Sequence, residues 1–260
     1  MAHDNIRVDL DEHLMTITID RPETKNACTF PMWTELRDLV RDASGAGARA
    51  IVFTGAGGNF CSGADVSGKA GSRGFKGNDL DSLRLTAQTV QAIHDCPIPT
   101  IAKVDGVAVG AGLGLAIVTD LTYCSDRARF SAIFAKVGLT LDFGTSWLLS
   151  RRVGVANAKE MALTAEMVNA LDALAMGLVN AMVATDELDG HVDTIARRIT
   201  TGAPMALQMS KRLIDSALTS SLAQALETEA LAQSLALTTH DTREALKAHR
   251  EKRPPTFEGR

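Results

Sequence analysis

Two stretches of the chain end in the same way. "RAIVFTG" (Arg49–Gly55) runs into "AGG", and "PTIAKVDG" (Pro99–Gly106) runs into "VAVGAGLG"; a helical segment follows each. Short apolar runs without polar alternation read as buried-type strands, and glycines at their exits let the backbone turn sharply into a helix. A repeated strand–loop–helix unit constrains the fold more than any other feature of this chain. It requires an α/β body in which helices cover a sheet and the loops at the strand ends carry the function.

The flanking segments fit that body. "IRVDL" and "HLMTITID" read as two strands joined by a tight polar turn at Asp11–Glu12. After "RPETKNA" breaks the pattern, the spacing of Met32, Leu36, Leu39 and Val40 predicts a helix over Phe30–Ser44. "LTYCSD" (Leu121–Asp126) reads as a further short strand. From about Val155 the chain turns helical, with Gly177 and Gly202 expected as C-terminal caps, and helices are predicted over Ala206–Leu218, Leu222–Leu237 and Thr242–Lys252. The expectation is an α/β body over residues 1–195 and a helical region over 196–260. Leu222, Leu226, Ala230, Gln233 and Leu237 share one side of a helix. A helical appendage too small for its own core packs on its body or on a neighbouring subunit.

Composition excludes several classes. A net charge of −4 leaves no electrostatic footprint for nucleic acid or an anionic membrane surface. Cys28, Cys61, Cys96 and Cys124 are widely spaced with no CxxC, as in a cytosolic protein with reduced thiols. No histidine pairs at i,i+4 with another ligand type, so no metal site is expected. The N-terminus, with Asp4, Arg7, Asp9, Asp11 and Glu12, is not a signal peptide. The apolar run from Gly106 to Thr119 is too short to span a bilayer. A cytoplasmic location is expected.

Three stretches offer chemistry, each with a plainer alternative. In "GAGGNFCSGADV" (Gly55–Val66) the glycines let backbone approach a ligand, and an N–H such as that of Ala64 would face outward at a helix start; the plainer reading is a tight turn with Asp65 as N-cap. In "DGVAVGAGLGLA" (Asp105–Ala116) Gly110, Gly112 and Gly114 open an apolar helix. The dinucleotide fingerprint fits poorly, because the third glycine comes one residue early; close helix packing is the plainer reading. In "GLTLDFGTSW" (Gly138–Trp147) a single carboxylate, Asp142, lies among small, apolar and aromatic residues just before a predicted helix. It is a helix cap or a proton shuttle. Arg151–Arg152 reads as two solvated charges at a helix end rather than a phosphate clamp.

Taken together, "RPETKNA", "IVFTGAGGNFCSGADV", "PTIAKVDGVAVGAGLGLAIVTDLTYCSDRARF", "GLTLDFGTSWLLSRRVG", "AKEMALTAEMVNALDALAMGLVNAMV" and the terminal "REKRPPTFEGR" resemble the crotonase family of enoyl-CoA hydratases, isomerases and relatives. They run in family order across essentially the whole chain. The resemblance implies a spiral of ββα units forming two small, nearly perpendicular sheets, followed by a helical region that makes homotrimers or hexamers. It also implies an acyl-CoA substrate whose thioester enolate is held by the N–H groups of Ala64 and Ala111, with coenzyme A entering only as part of the substrate and no separate cofactor. The nucleotide would lie against Ser62, Asp65 and Val66, with Lys25, Asn26 and Ala27 nearby, and Lys252 and Phe257 would reach a neighbour's CoA. Phe134, Gly114, Leu139 and Trp147 would line the acyl pocket, together with the segment Ser67–Leu85.

The departures from the pattern decide the chemistry. The family usually has glycine at the position of Ala111. Its hydratases place glutamates at the positions of Gly114 and Phe134, and hydration needs one group to activate water and another to deliver a proton to carbon. Neither is available. Branches that keep the aspartate alone are isomerases, including epoxyphenylacetyl-CoA-type enzymes, and aryl-CoA dehalogenases. The assisting histidine of the dehalogenases is missing near Ala87, so an isomerase with Asp142 as its acid–base is the leading expectation. Other crotonase-type chemistry, a non-catalytic acyl-CoA-binding protein and a nicotinamide enzyme are the alternatives.

Overall fold

The computed structural model describes residues 5–66 and 80–260. Its elements in the first half are β1 (Ile6–Asp11), β2 (Leu14–Ile19), α1 (Phe30–Asp42), β3 (Ala50–Gly55), α2 (Leu80–His94), β4 (Thr100–Val104), β5 (Val107–Val109) and α3 (Ala111–Val118). Then come β6 (Leu121–Ser125), β7 (Arg129–Ser131), α4 (Thr145–Thr164), β8 (Val168–Asn169), α5 (Ala170–Ala175), β9 (Ala181–Val183), α6 (Leu188–Thr200), α7 (Pro204–Ala217), α8 (Leu222–Ala236) and α9 (His240–Glu251). Single 3-10 turns occur at Pro22–Thr24 and Ile133–Val137.

A six-stranded sheet has the order β1-β2-β3-β4-β6-β9; only the β1–β2 hairpin is antiparallel. A second sheet, β5-β7-β8, lies alongside, and isolated bridges Cys28–Ala64 and Cys61–Ala108 extend the same zigzag. The chain therefore alternates between sheets before each helix. β3, the Cys61 bridge and α2 form one such unit; β4, β5 and α3 form the next, and β6, β7 and α4 the third. This is the expected spiral of ββα units.

β3 explains why such strands read as unbroken apolar runs. Ile51 and Phe53 enter the main core with Met32, Trp33, Leu36 and Ile93 under α1 and α2, whereas Ala50 and Val52 meet Leu188, Val192 and Ala196 of α6 on the other face. Burying a side chain of that size contributes about 1.5–3 kcal/mol, so both faces must be apolar. Of the expected caps, Gly177 takes the left-handed backbone (φ 80°) after α5; Gly202 does not. The expected division at 195/196 falls within α6, which packs on the sheet. α8 differs from the expected one-sided stripe. Leu222, Leu226, Leu231 and Leu235 are all exposed, no residue of α8 is buried, and the helix lies along α7. Its apolar residues surround it.

Candidate active site

The parallel strands β3 and β4 deliver their glycine loops to one edge of the sheet, where α/β proteins place their ligands. After β3, residues 60–61 turn back to pair with β5: the N–H groups of Phe60 and Cys61 both donate to the Val107 carbonyl, and the Val109 N–H donates to the Cys61 carbonyl. Gly63 (φ 98°) presses on the next loop. A Cβ there would lie 2.9 Å from the Val109 oxygen and 3.3 Å from the Ala111 nitrogen, so this approach requires glycine. The stretch is clamped by Cys28 N–H to Gly63 O (2.8 Å) and Asp65 N–H to Cys28 O (2.9 Å). These bonds use the groups on either side of the Ala64 N–H, which finds no backbone acceptor among the described residues.

Gly110 (φ 57°) donates to the Ser131 carbonyl and turns the chain into α3, whose first residue is Ala111. Its N–H is one of the donors a helix start leaves without an internal partner, at the positive end of the helix dipole. The structure thus brings the loops of Ala64 and Ala111 together, with the Ala111 methyl buried.

Asp142 precedes α4 but does not cap it. The N-cap is Gly144, with no side-chain cap, and the Thr145 N–H bonds the Asp142 carbonyl (2.9 Å) instead. Two left-handed residues, Phe143 (φ 50°) and Gly144 (φ 71°), separate the carboxylate from the helix. Oδ1 of Asp142 is buried with no hydrogen-bond partner among the described residues, and desolvation pushes the carboxyl pKa up to about 6. A lone carboxyl with a raised pKa is suited to taking and returning a proton near neutral pH.

Lys25, Asn26, Ala27, Ser62 and Asp65 meet in one shelf. The Ser62 N–H donates to the Lys25 carbonyl, and Ser62 Oγ donates to the Thr24 carbonyl. Arg21 Nη1 bridges the Ala27 carbonyl (2.6 Å) and Asp65 Oδ2 (3.1 Å), so Asp65 has an ion-pair partner that the sequence did not disclose. The Asn26 side chain is spent on structure: Nδ2 donates to the Ala56 and Asn59 carbonyls, and Oδ1 accepts from the Arg21 N–H. Val66 is exposed. The helix expected to start at Ser62 or Asp65 does not form there: residues 62–66 are non-helical, because Ala64 is drawn into a bridge with Cys28, and residues 67–79 of the expected acyl-pocket segment lie outside the described residues.

The four residues expected to line the acyl pocket differ in exposure. Phe134 is buried in the main core with Phe143, and Gly114 faces Phe143, whereas Leu139 is partly exposed. Trp147 lines a cavity of about 330 Å³ with Ala87, Val90, Gln91, His94, Gly144 and Leu148. Larger cavities of about 730 and 520 Å³ lie where α7 leaves the body and contain none of Ala64, Ala111 and Asp142. Phe257 stays away from this edge, its carbonyl accepting from Arg49 at the opposite, N-terminal end of β3, and Lys252 is the left-handed C-cap of α9.

The arginine pair is not the solvated pair expected. Arg151 stacks 3.7 Å over the exposed Trp147, but Arg152 turns inward to the carbonyls of Ile117 and Thr119 and to Thr122 Oγ1. It holds the C-terminal end of the helix whose first residue is Ala111. Its sequence signal was only a cation one helix away. All four cysteines are free and buried. Among the described residues no cluster of three potential metal ligands forms, and no helix is long and apolar enough to cross a membrane.

Residues 9–260 match the family model described as enoyl-CoA hydratase/isomerase. A protein named probable enoyl-CoA hydratase from Rhodobacter capsulatus is 38% identical, with 100% of each chain covered. The 1,2-epoxyphenylacetyl-CoA isomerase of Escherichia coli is 32% identical over 96% of this chain and 97% of its own. Among solved structures, an enoyl-CoA hydratase from Bacillus anthracis superposes with a TM-score of 0.92 at 27% identity, covering 99% of this chain and 100% of that one.

Proposed function

The chain belongs to the enoyl-CoA hydratase/isomerase family, and from that premise we propose that it is the isomerase, with Asp142 as its one proton-transfer group. The observation that carries the reading is the Asp142 carboxyl itself: its Oδ1 buried and without a described partner, its side chain not a cap, and its pKa pushed up to about 6 by desolvation. Names among the relatives lean toward hydratase, but hydration needs a second acid–base group, and position 114 is glycine and position 134 phenylalanine.

In the proposed reaction the N–H groups of Ala64 and Ala111 donate hydrogen bonds to the thioester oxygen. Asp142 takes a proton from the carbon α to the carbonyl of a 3-enoyl-CoA, and the electron pair of that C–H bond moves through carbon into the oxygen. The dienolate is held by two donors that need no reorganisation, a contribution worth about 10²–10³ in rate per donor. Asp142 returns the same proton to the γ carbon, giving the 2-enoyl thioester. Nothing is oxidised and no separate cofactor is consumed. The shelf of Lys25, Asn26, Ala27, Ser62, Asp65 and Val66 would carry the nucleotide of CoA largely through its backbone, because the Asn26 side chain is already spent.

The proposal extends to assembly. Residues 196–260 serve as the region that builds a homotrimer or hexamer, as the family resemblance implies, and the bare apolar surround of α8 supports this. Lys252 and Phe257 then serve a neighbour's CoA, a reading supported for Phe257 by its place at the far end of the sheet in its own chain.

The test is direct. The purified protein should convert a 3-enoyl-CoA to the 2-enoyl isomer and hydrate crotonyl-CoA several orders of magnitude more slowly than a two-glutamate relative. CoA thioesters, but not a nicotinamide dinucleotide, should raise its melting temperature. Hydration at the relative's rate would overturn the reading.

A further inference from the structure

Position 114 and residue 143 compete for one space. A Cβ built on Gly114 would lie 2.8 Å from Phe143 Cδ1, 2.8 Å from the Phe143 carbonyl oxygen and 3.1 Å from its Cβ. One of these atoms is backbone, so no rotamer change of Phe143 removes the conflict. Gly114 itself has no left-handed backbone and sits inside α3, where any residue could serve on conformational grounds alone.

Phe143 is not free to move aside. It is buried, and its ring lies 4.6 Å from that of Trp33 at 51°. Trp33 is fixed in turn, because Thr89 of α2 donates to its carbonyl at 2.8 Å. On the other side Gly144 is so close to α2 and α4 that a Cβ would meet Val90 Cγ1 at 2.9 Å and Leu148 Cδ1 at 3.2 Å. Phe143 also holds φ 50°, and it is the one aromatic among the described non-glycine residues with positive φ. A bulky side chain in that region persists only where its surroundings over-determine it, and such outliers cluster at functional sites. This one directly follows Asp142.

We infer that Phe143 is a specificity-determining residue: by filling the space at position 114 it excludes a second acid group and leaves Asp142 alone with the substrate. The inference rests on Asp142 being the acid–base group of the proposed isomerase. It adds that the lone carboxylate is enforced by packing, so a glutamate at 114 cannot simply be restored.

Gly114→Ala supplies the single carbon. Inside a helix alanine is ordinarily more stable than glycine, so a clash reverses the usual sign. The expected result is a lower melting temperature for Gly114→Ala in the wild type and a smaller loss when the same change is made on Phe143→Gly, where Cδ1 and Cβ are gone and only the carbonyl oxygen at 2.8 Å remains. Gly114→Glu should weaken binding of butyryl-CoA, an unreactive saturated thioester, by about tenfold or more, the size that overpacking a core predicts. Gly114→Glu with Phe143→Gly should regain part of that affinity. A Gly114→Ala protein at least as stable as the wild type overturns the inference outright, even if Phe143→Gly does not fold. So does a Gly114→Ala penalty that Phe143→Gly leaves unchanged. Neither readout uses turnover, so the inference can fail while the isomerase reading stands, and the reverse.

Discussion

Asp142→Asn should make the protein more stable and nearly inactive at once. The native carboxyl is held at a pKa of about 6 by desolvation, against about 3.9 in an unfolded chain. Those two pH units, at about 1.4 kcal/mol each, give a raw cost of about 3 kcal/mol for ionising the carboxyl in the fold. Asp142 is only partly buried, and solvent screening brings the expected cost to about 1–2 kcal/mol. The sign follows from proton binding. The folded state holds this proton more tightly than the unfolded chain, so its contribution is fully present below about pH 4 and is lost as the pH rises through about 6. Asparagine does not titrate. Denaturant unfolding of both proteins from about pH 4 to about pH 8 should therefore show Asp142→Asn gaining about 1–2 kcal/mol relative to wild type across that interval. In parallel, isomerase turnover should fall at least about 10²-fold, and the wild-type kcat/KM should rise through about pH 6 as the base form appears. A stability difference that is flat with pH, together with retained activity, would refute the reasoning. A structural carboxylate would behave in another way again: Asp142→Ala would cost about 1 kcal/mol, as losing a helix cap does, and activity would survive.

Two further outcomes are expected. Arg152→Gln should destabilise the protein by about 2–4 kcal/mol, because the carbonyls of Ile117 and Thr119 lose a charged donor; Arg152→Lys should not restore it, since one ammonium cannot replace the planar fork, and chemical denaturation that finds the Lys variant intact would contradict this. Light scattering at micromolar concentration should give a trimer or hexamer, and deletion from Leu222 onward should leave an aggregating, inactive body; a stable monomer would remove the assembly proposal.

Much of the fold was legible, for a physical reason. β1, β2, β3, β4 and β6 are five or six residues long, enough to express an apolar pattern, and all were read within a few residues of their ends. β5, β7, β8 and β9 have two or three residues each and show no period at all. They exist because a partner far along the chain supplies their hydrogen bonds, as Ser131 O does for Gly110 and Cys61 O for Val109. The second sheet thus came only from the family resemblance. α8 shows the converse. Its helix was read almost residue for residue, but the leucines off the predicted stripe, Leu231 and Leu235, could be classed as exposed only after packing was known.

The candidate site divides along the same line. A residue whose chemistry is its own can be nominated from sequence, as Asp142 was. What makes it usable is supplied by others: the left-handed pair Phe143–Gly144, which turns a carbonyl instead of the carboxylate toward the helix, and the apolar burial that raises its pKa. The sequence left cap and shuttle undecided because both put a carboxylate just ahead of a helix. The backbone removes the cap, because a cap must reach the first turn and this side chain does not; the shuttle is the proposal. Arg152 makes the complementary case. Beside Arg151 it looks like one of two solvated charges, yet it braces the far end of the helix that starts at Ala111. The positive end of that helix and the desolvated acid make opposite demands on the fold. The first leaves its leading donors uncapped, since Gly110 has no side chain to meet them. The second costs stability as the pH rises from about 4 through about 6, a cost that the proposed proton transfer would explain.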